Sequence, residues 1–307
     1  MIIKRHKKIR NSWDDKIFDI VCNLFLIGFV LIVFYPIYYI VIASISDPVY
    51  AYTGKPLLYP KGITMEGIKL MLQEERLWKG YANTIYYTFC GTLLGVTLCI
   101  LAGYAFSRKD LPGRNILMKL YVFTMYFGGG MIPTFIVVKN LHMVNTRWAM
   151  IILGCVSVYN IIIVRSTMES TIPNELLDAA RIDGCGNCKF FVKIVIPLSK
   201  AIIAVMVLYM AVGYWNSYMN AVLYISDENM YPLQLQLRQI LYQVNESLQE
   251  DNLQASEDLL NDMFNNLKRV QLIKYGAIVV STAPVICIYP FIQKYFIKGV
   301  MIGSIKG

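Results

Sequence analysis

The sequence predicts an all-α, polytopic membrane protein with six spanning helices, and three observations carry that prediction. Hydrophobic residues make up 56% of the 307 positions and charged residues only 16%, against about 25% charged in an ordinary soluble domain. The apolar residues are gathered into six long runs rather than spread at the spacing of an amphipathic helix or strand. The basic residues sit between those runs, and they fall on one side if six helices alternate across a bilayer.

A spanning helix needs about 20 mostly apolar residues. The first run, residues 17–45, follows the basic start KRHKKIR. That start resembles a secretory signal, but the run is too long for one and has no small-residue cleavage site, so it reads as a retained anchor. The second run covers 81–106 and the third 116–138. The fourth covers 148–164, the fifth 201–225 and the sixth 272–289. The expected division is therefore an N-terminus of residues 1–16, a membrane domain of 17–292 and a tail of 293–307. The cysteines are not arranged as an extracellular disulfide framework: all but Cys185 and Cys188 lie in apolar runs, where the thiol acts as a small hydrophobe.

Orientation follows from the basic residues. Lys4, Arg5, Lys7, Lys8 and Arg10 precede the first run. Arg108, Lys109, Arg114 and Lys119 flank the second connection, and Arg165, Arg181, Lys189, Lys193 and Lys200 the fourth. Lys294, Lys298 and Lys306 lie in the tail. The opposite side is acidic, with eight carboxylates between Asp227 and Asp262. Both termini are thus expected in the cytoplasm. The net charge of +9 belongs to the membrane surface, and the chain carries no basic, aromatic-interleaved helix for nucleic acid. Two outer connections stand out. Residues 46–80 hold Pro48, Pro56 and Pro60 and are expected to pack over the outer face. Residues 226–271 begin with Leu233, Leu237, Ile240 and Leu241 on one helical stripe and then become acidic.

The fourth connection, 168–197, is the most informative. Pro173 suits the first turn of a helix, where a missing N–H costs nothing. Leu176, Leu177, Ala179, Ala180 and Ile182 then give two turns of apolar and small side chains, and Gly184 is a natural stop. A second apolar segment with Phe190, Val192, Ile194 and Ile196 follows, and Pro197 bends it toward the next span. Such a short helix, projecting from the membrane, fits a groove on a partner.

This stretch resembles the EAA loop of ABC importer permeases: Glu-Ala-Ala, three residues, Gly, nine residues, Ile, one residue, Leu-Pro. Asp178, Ala179 and Ala180 take the first places, then Gly184, Ile194 and Ile196-Pro197 follow at the family spacing. Asp for Glu at 178 and Ile for Leu at 196 are the departures. The segment YWNSYMNAVLYI and the ending QKYFIKGVMIGSIKG resemble the maltose-permease type, in the branch paired with Gram-positive lipoprotein receptors for oligosaccharides. The resemblance implies the type I ABC importer transmembrane fold. It implies a second, homologous permease subunit, two ABC ATPase subunits that carry the ATP and Mg, an extracytoplasmic lipoprotein that binds the substrate, and a carbohydrate cargo. No cofactor or metal is expected on this chain, and no enzymatic activity. Carried over by position, Glu175, Asp178, Ala179, Ala180, Asp183, Gly184 and Pro197 would form the ATPase-coupling element. The outer loop 226–271 would meet the receptor, and the tail from Gln293 to Gly307 would brace the ATPases.

The remaining signals are weaker. Cys185 and Cys188 have metal-ligand spacing but neither a second pair nor a nearby histidine in sequence, so they read as incidental thiols. Gly128-Gly129-Gly130 has no Gly-Lys-Ser/Thr after it and lies in an apolar run, so a bent helix before Pro133 is expected instead of a phosphate loop. Gly91 and Gly95 form a GxxxG pair that marks close helix packing without naming the partner helix. Trp215, Asn216, Tyr218 and Asn220 put amides and rings into the fifth run. They either line a translocation path for sugar or serve interhelical packing. The centres of the runs lack Asp, Glu, Lys and Arg, which disfavours an ion-coupled carrier. A membrane-embedded enzyme would need a constellation such as HExxH, which is absent from the sequence.

Overall fold

A computed structural model describes residues 13–52, 58–250, 268, 270–284 and 286–287. The basic N-terminal stretch up to residue 12, the acidic centre of the outer loop at 251–267 and the tail 293–307 lie outside the described residues. Every described element is helical, and the helices divide into two units: residues 1–71 with 247–280, and residues 72–246 with 281–307.

In the first unit, α1 (Trp13–Ser44) runs for 32 residues, about 48 Å at ~1.5 Å per residue, enough to cross a bilayer with length to spare. Its side chains are almost all exposed until the end, where Ile42, Ala43 and Ser44 are buried. The chain then turns through α2 (Pro48–Tyr52) to α3 (Glu66–Gln73). Strand-like pairing holds this connection: the Asp47 amide donates to Lys61 O at 2.9 Å and the Thr64 amide to Ile45 O at 2.9 Å. α3 lies against the last described helix, residues 270–284, at two glycines. A Cβ on Gly67 would meet the Leu272 carbonyl at 2.6 Å, and one on Gly276 would meet the Gly67 carbonyl at 2.8 Å. The predicted sixth run is therefore helical as far as it is described.

The second unit is built on α4 (Glu75–Ser107), a 33-residue helix. α5 (Arg114–Tyr126) and α6 (Met131–Asn140) follow, then α7 (Arg147–Ile152) and α8 (Val158–Thr171). Next come α9 (Asn174–Ile182), α10 (Asn187–Phe190), a π-turn over Phe191–Val195 and α11 (Ile196–Leu198). α12 (Lys200–Trp215), α13 (Met219–Tyr224), a 3₁₀ turn over Glu228–Met230 and α14 (Leu233–Glu250) follow. α14 passes into the other unit at Ser247.

The glycine pair in the second run has a partner, α12. A Cβ on Gly91 would strike the Tyr214 ring, and one on Gly95 would meet the Met210 sulfur at 2.7 Å and the Cys155 carbonyl at 2.8 Å. Gly103 plays the same part toward Val164 of α8. Three glycines on one helix thus let α12 and α8 approach its backbone.

Helix occurs in every predicted run, but three runs are broken. Among the described residues only α1 and α4 are each long and apolar enough to span alone. α5 and α6 meet at 112°. The triple glycine is thus a full break, with Gly130 at φ +85°, rather than a bent helix. The fourth run is interrupted at 153–157, where Gly154 sits at φ +89°, and α8 then continues past Val164 to Thr171. The fifth is interrupted at 216–218. Hydropathy cannot see these breaks, because a left-handed glycine or a capping amide does not make a run less apolar. The Pro197 region bends as expected, by 78° between 187–198 and α12.

The stripe predicted for α14 is found: Leu233, Leu237 and Ile240 are buried, and Leu241 is half-buried. Gly91→Ala is expected to lower the melting temperature of the detergent-solubilised protein, at a cost of about 1–3 kcal/mol from overpacking against Tyr214. Gly213→Ala, where an added Cβ meets nothing within 4 Å, should leave it unchanged.

Candidate coupling element and translocation path

The excursion between α8 and α12 begins with α9, whose sequence makes one face apolar. Leu177 and Ala180 point inward and are buried. They join Ile100 of α4, Val164 and Met168 of α8, Phe190 and Val195 of the return segment, and Ile202 and Met206 of α12 in one cluster. Phe190, Val195, Val164 and Met206 are fully covered there. The Tyr104 and Phe191 rings lie 4.9 Å apart, centre to centre, at its edge.

Gly184 ends α9 by a Schellman motif. Its φ is +70°, its amide donates to Arg181 O at 3.0 Å, and the next amide, of Cys185, reaches back to Ala180 O at 2.8 Å. Cys185 itself packs against the cluster. The opposite face of α9 is open: Glu175, Asp178, Ala179, Asp183 and Gly184 are exposed, and Ile182 is 87% exposed. This helix therefore presents three carboxylates and one protruding aliphatic side chain. Pro197 is exposed on the return segment. Ala180 differs from its expected place: it belongs to the inward face, so close approach from outside would involve Ala179.

An ionic network that sequence reasoning missed surrounds this helix. Arg181 donates to Asp110 Oδ2 at 2.8 Å, and Arg108 holds the same carboxylate at 3.2 and 3.3 Å. The Arg108 guanidinium, and after it Arg181, keeps the Asp110 carboxyl below the usual carboxylate range. A depressed pKa means that the pair contributes above the ordinary carboxyl pKa and is lost only as the pH falls through the lowered value. It is therefore intact throughout neutral and mildly acidic pH. Nearby, Glu169 accepts from both Arg114 and Arg165, the latter at 3.1 Å. The loop between α4 and α5 is thus tied to α9 at one end and to α8 at the other. Only the Arg165–Glu169 pair, at i,i+4, left a trace in the sequence.

The candidate path residues cluster at the break between α12 and α13. Asn216 uses its amide to donate to Val212 O at 3.0 Å, closing its own helix. Trp215 lies 6.3 Å from the Tyr81 ring, and the Arg238 guanidinium lies 5.9 Å over Tyr218. Asn220 is half-buried. The Ser217 hydroxyl and, on α4, those of Thr88 and Thr92 are buried without a hydrogen-bond partner. On the predicted outer side, α4 anchors the chain after α13. Asn83 donates to the carbonyls of Asn229 and Tyr231 at 2.7 and 3.1 Å, and Tyr87 to Met230 O at 2.8 Å. The Leu233 amide donates to Thr84 Oγ1 at 2.8 Å. The polar spots at 83, 84 and 87 in an otherwise apolar run were the available signal.

Long apolar helices, with a small anchored helix projecting between two of them, define a membrane-embedded protein. Residues 95–302 match the family described as binding-protein-dependent transport system inner membrane component, and the chain belongs to this family, the permease subunits of ABC importers. It is 38% identical over 293 residues to the Bacillus subtilis polygalacturonan/rhamnogalacturonan transport system permease protein YtcP, covering 95% of this chain and 99% of that protein. To protein LplC of the same organism it is 35% identical, covering 97% and 98%. A crystal structure of a bacterial ABC transporter that imports the acidic polysaccharide alginate contains a chain superposing with a TM-score of 0.82 at 32% identity, covering 94% of this chain and 100% of that one. In this family the protein is a transport subunit of the bacterial cell membrane, and ATP hydrolysis belongs to a separate subunit.

Asp110→Asn is expected to change global stability by less than about 1 kcal/mol, because the Asp110–Arg181 pair is half exposed. Hydrogen exchange of the α9 amides should nevertheless accelerate, since the outward turn loses its tie to the α4–α5 loop. Unchanged exchange would show that the apolar cluster alone holds the helix.

Proposed function

We propose that this chain is one of two homologous permease subunits of an ATP-driven importer that moves a carbohydrate, an oligosaccharide by preference, into the cell. The observation that carries the coupling part is the geometry of α9: Leu177 and Ala180 are locked into the membrane helices while Asp178, Ala179, Ile182 and Asp183 are free to dock. Carbohydrate as the cargo is supported by the names of the relatives, one for polygalacturonan and rhamnogalacturonan and another for alginate.

In this reading both termini and the 168–197 excursion face the cytoplasm. Glu175, Asp178 and Asp183 meet basic or polar groups in a cleft of the partner ATPase, and Ile182 fills an apolar recess there. ATP and Mg bind to the ATPase pair, not to this chain. Closure of that pair pushes α9, and the anchored cluster passes the push to α4, α8 and α12. The substrate-binding lipoprotein delivers its load at the outer loop 226–271. Sugar then passes along the interface with the second permease, with Trp215, Asn216, Tyr218 and Asn220 at its edge. The broken fifth run supports a path there, since a chain interruption in the membrane is tolerated where it is buried in protein or lines a cavity.

Purification from the native membrane in mild detergent, followed by mass spectrometry, tests the assembly. A Walker-motif ATPase and a second permease are expected with the chain. The chain alone, transporting in liposomes without ATP, would overturn the proposal. The associated receptor should then be screened against neutral and uronic-acid oligosaccharides. In the reconstituted complex, Ile182→Arg should lower ATP-dependent uptake at least tenfold, corresponding to a loss of about 1.4 kcal/mol or more of coupling interaction, with the chain still folded. Gly184→Val should do the same through strain at φ +70°.

A further inference from the structure

The turn between α6 and α7, residues 141–146, holds the two non-glycine residues with left-handed backbone among the described residues, His142 at φ +54° and Asn145 at φ +57°. Asn and His enter this region more readily than most side chains, but it is sparsely populated and persists where the surroundings over-determine it. For Asn145 they do. Its backbone amide donates to Tyr224 O at 2.6 Å, at the end of α13. Its side-chain Oδ1 accepts from the Ser226 and Asp227 amides, both at 3.0 Å. Two backbone N–H donors on one atom identify that atom as the oxygen of the side-chain amide. One residue thus holds three backbone groups of 224–227, from a segment 81 positions before Ser226.

The two segments also share apolar contact. Val138, Ala149 and Tyr224 are buried in one cluster, and the Phe135 and Tyr224 rings stack with centres 5.8 Å apart. That packing includes neither Asn145 nor residues 226–227. Ser226 is exposed and Asp227 half-buried, so past the helix end the Asn145 oxygen holds the backbone. Asp227 Oδ1 then accepts from the Asn229 amide at 2.9 Å, and Asn83 and Tyr87 of α4 hold the carbonyls of residues 229–231. The lead into the outer loop is therefore fixed at 229–231 by α4 and at 226–227 by a side chain from another connection.

We propose that Asn145 is a positioning residue for receptor docking: its side chain pre-orders residues 226–227, so that the outer loop 226–271 leaves the membrane domain already aimed at the substrate-binding lipoprotein. The inference rests on the importer reading above and adds to it a residue outside the loop itself. A segment that becomes ordered only on contact subtracts its ordering cost from the affinity, and a segment held beforehand does not. The left-handed backbone of Asn145 serves the same end, since it is kept together with three hydrogen bonds to the start of the loop.

The test is a titration of ATP hydrolysis by the reconstituted complex with its receptor. Asn145→Gly keeps the left-handed backbone and its N–H but removes Oδ1, whereas Asn145→Asp keeps an oxygen acceptor in place. The glycine variant should raise the half-saturating receptor concentration about fivefold, the factor for one ordinary hydrogen bond, with the rate at saturation within about twofold. Asn145→Asp should restore the unaltered value, and His142→Gly, at the other left-handed residue of the turn, should not move it. No rise with Asn145→Gly, or an equal rise with Asn145→Asp or His142→Gly, overturns the positioning role alone. A complex that the receptor does not stimulate at all overturns the importer reading, and this role with it. If Asn145→Gly fails to assemble, hydrogen exchange of the unaltered complex decides. Ser226 and Asp227 amides that are protected before the receptor is added uphold the proposal, and amides protected only after it is added overturn it.

Discussion

The second unit depends on one apolar contact: the insertion of Leu177 and Ala180 of α9 among the ends of α4, α8 and α12. A fully buried leucine contributes roughly 1.5–3 kcal/mol, and here Phe190 and Val195 close over it from the return segment. The exposed Arg181–Asp110 pair, by comparison, belongs to a class worth roughly 0–1 kcal/mol. The apolar plug therefore decides that α9 stays attached, and the ion pairs decide only how it is turned. That division suits a docking element. Its attachment resists salt and mild acid, while its outward face is left polar and accessible.

A second constraint comes from the broken runs. In an apolar medium each unsatisfied backbone group costs several kcal/mol, so every interruption has to find its own partners. The structure supplies them locally. Ser157 accepts from the Asn160 amide at 3.4 Å, and the Tyr214 hydroxyl donates to Ile151 O at 2.7 Å. Asn216 caps α12 with both its backbone and its side-chain N–H on Val212 O. Polar side chains within apolar runs thus have a structural occupation before any functional one. For Asn216 this narrows the choice left open by sequence: one amide hydrogen serves the helix end, while the exposed remainder of the side chain is what a sugar would meet.

Much of this was legible in the sequence where the physics is local or periodic. Gly184 as a helix stop, the α14 stripe and the length of α1 follow from the needs of a Schellman turn, an apolar face and a bilayer. What was illegible depends on residues far apart in the chain. Asp110 and Arg181 are 71 positions apart, and neither neighbourhood marks the pairing. Gly91 and Gly95 announced a close contact, but only the fold names Tyr214 and Met210. Ala180 was grouped with Ala179 in the coupling element because small size is equally suited to packing inward and to admitting a partner. Its burial follows from helical phase with Leu177, three residues earlier, a spacing the sequence did display.

α4 is the element common to these observations. At one end Asn83, Thr84 and Tyr87 hold the chain at 229–233 through backbone hydrogen bonds. Near its other end Ile100 belongs to the cluster that seats α9. Between them, Gly91, Gly95 and Gly103 bring α12 and α8 against its backbone, where an interior packed like a crystal transmits displacement with little compliance. No break interrupts its 33 residues, in contrast to the three interrupted runs around it. In the coupling proposed above, a push on α9 would reach α4 through this cluster, and the segment anchored at its far end would be carried with it. Continuity in one helix and interruption in its neighbours thus divide the unit into one unbroken axis and several broken segments packed on it.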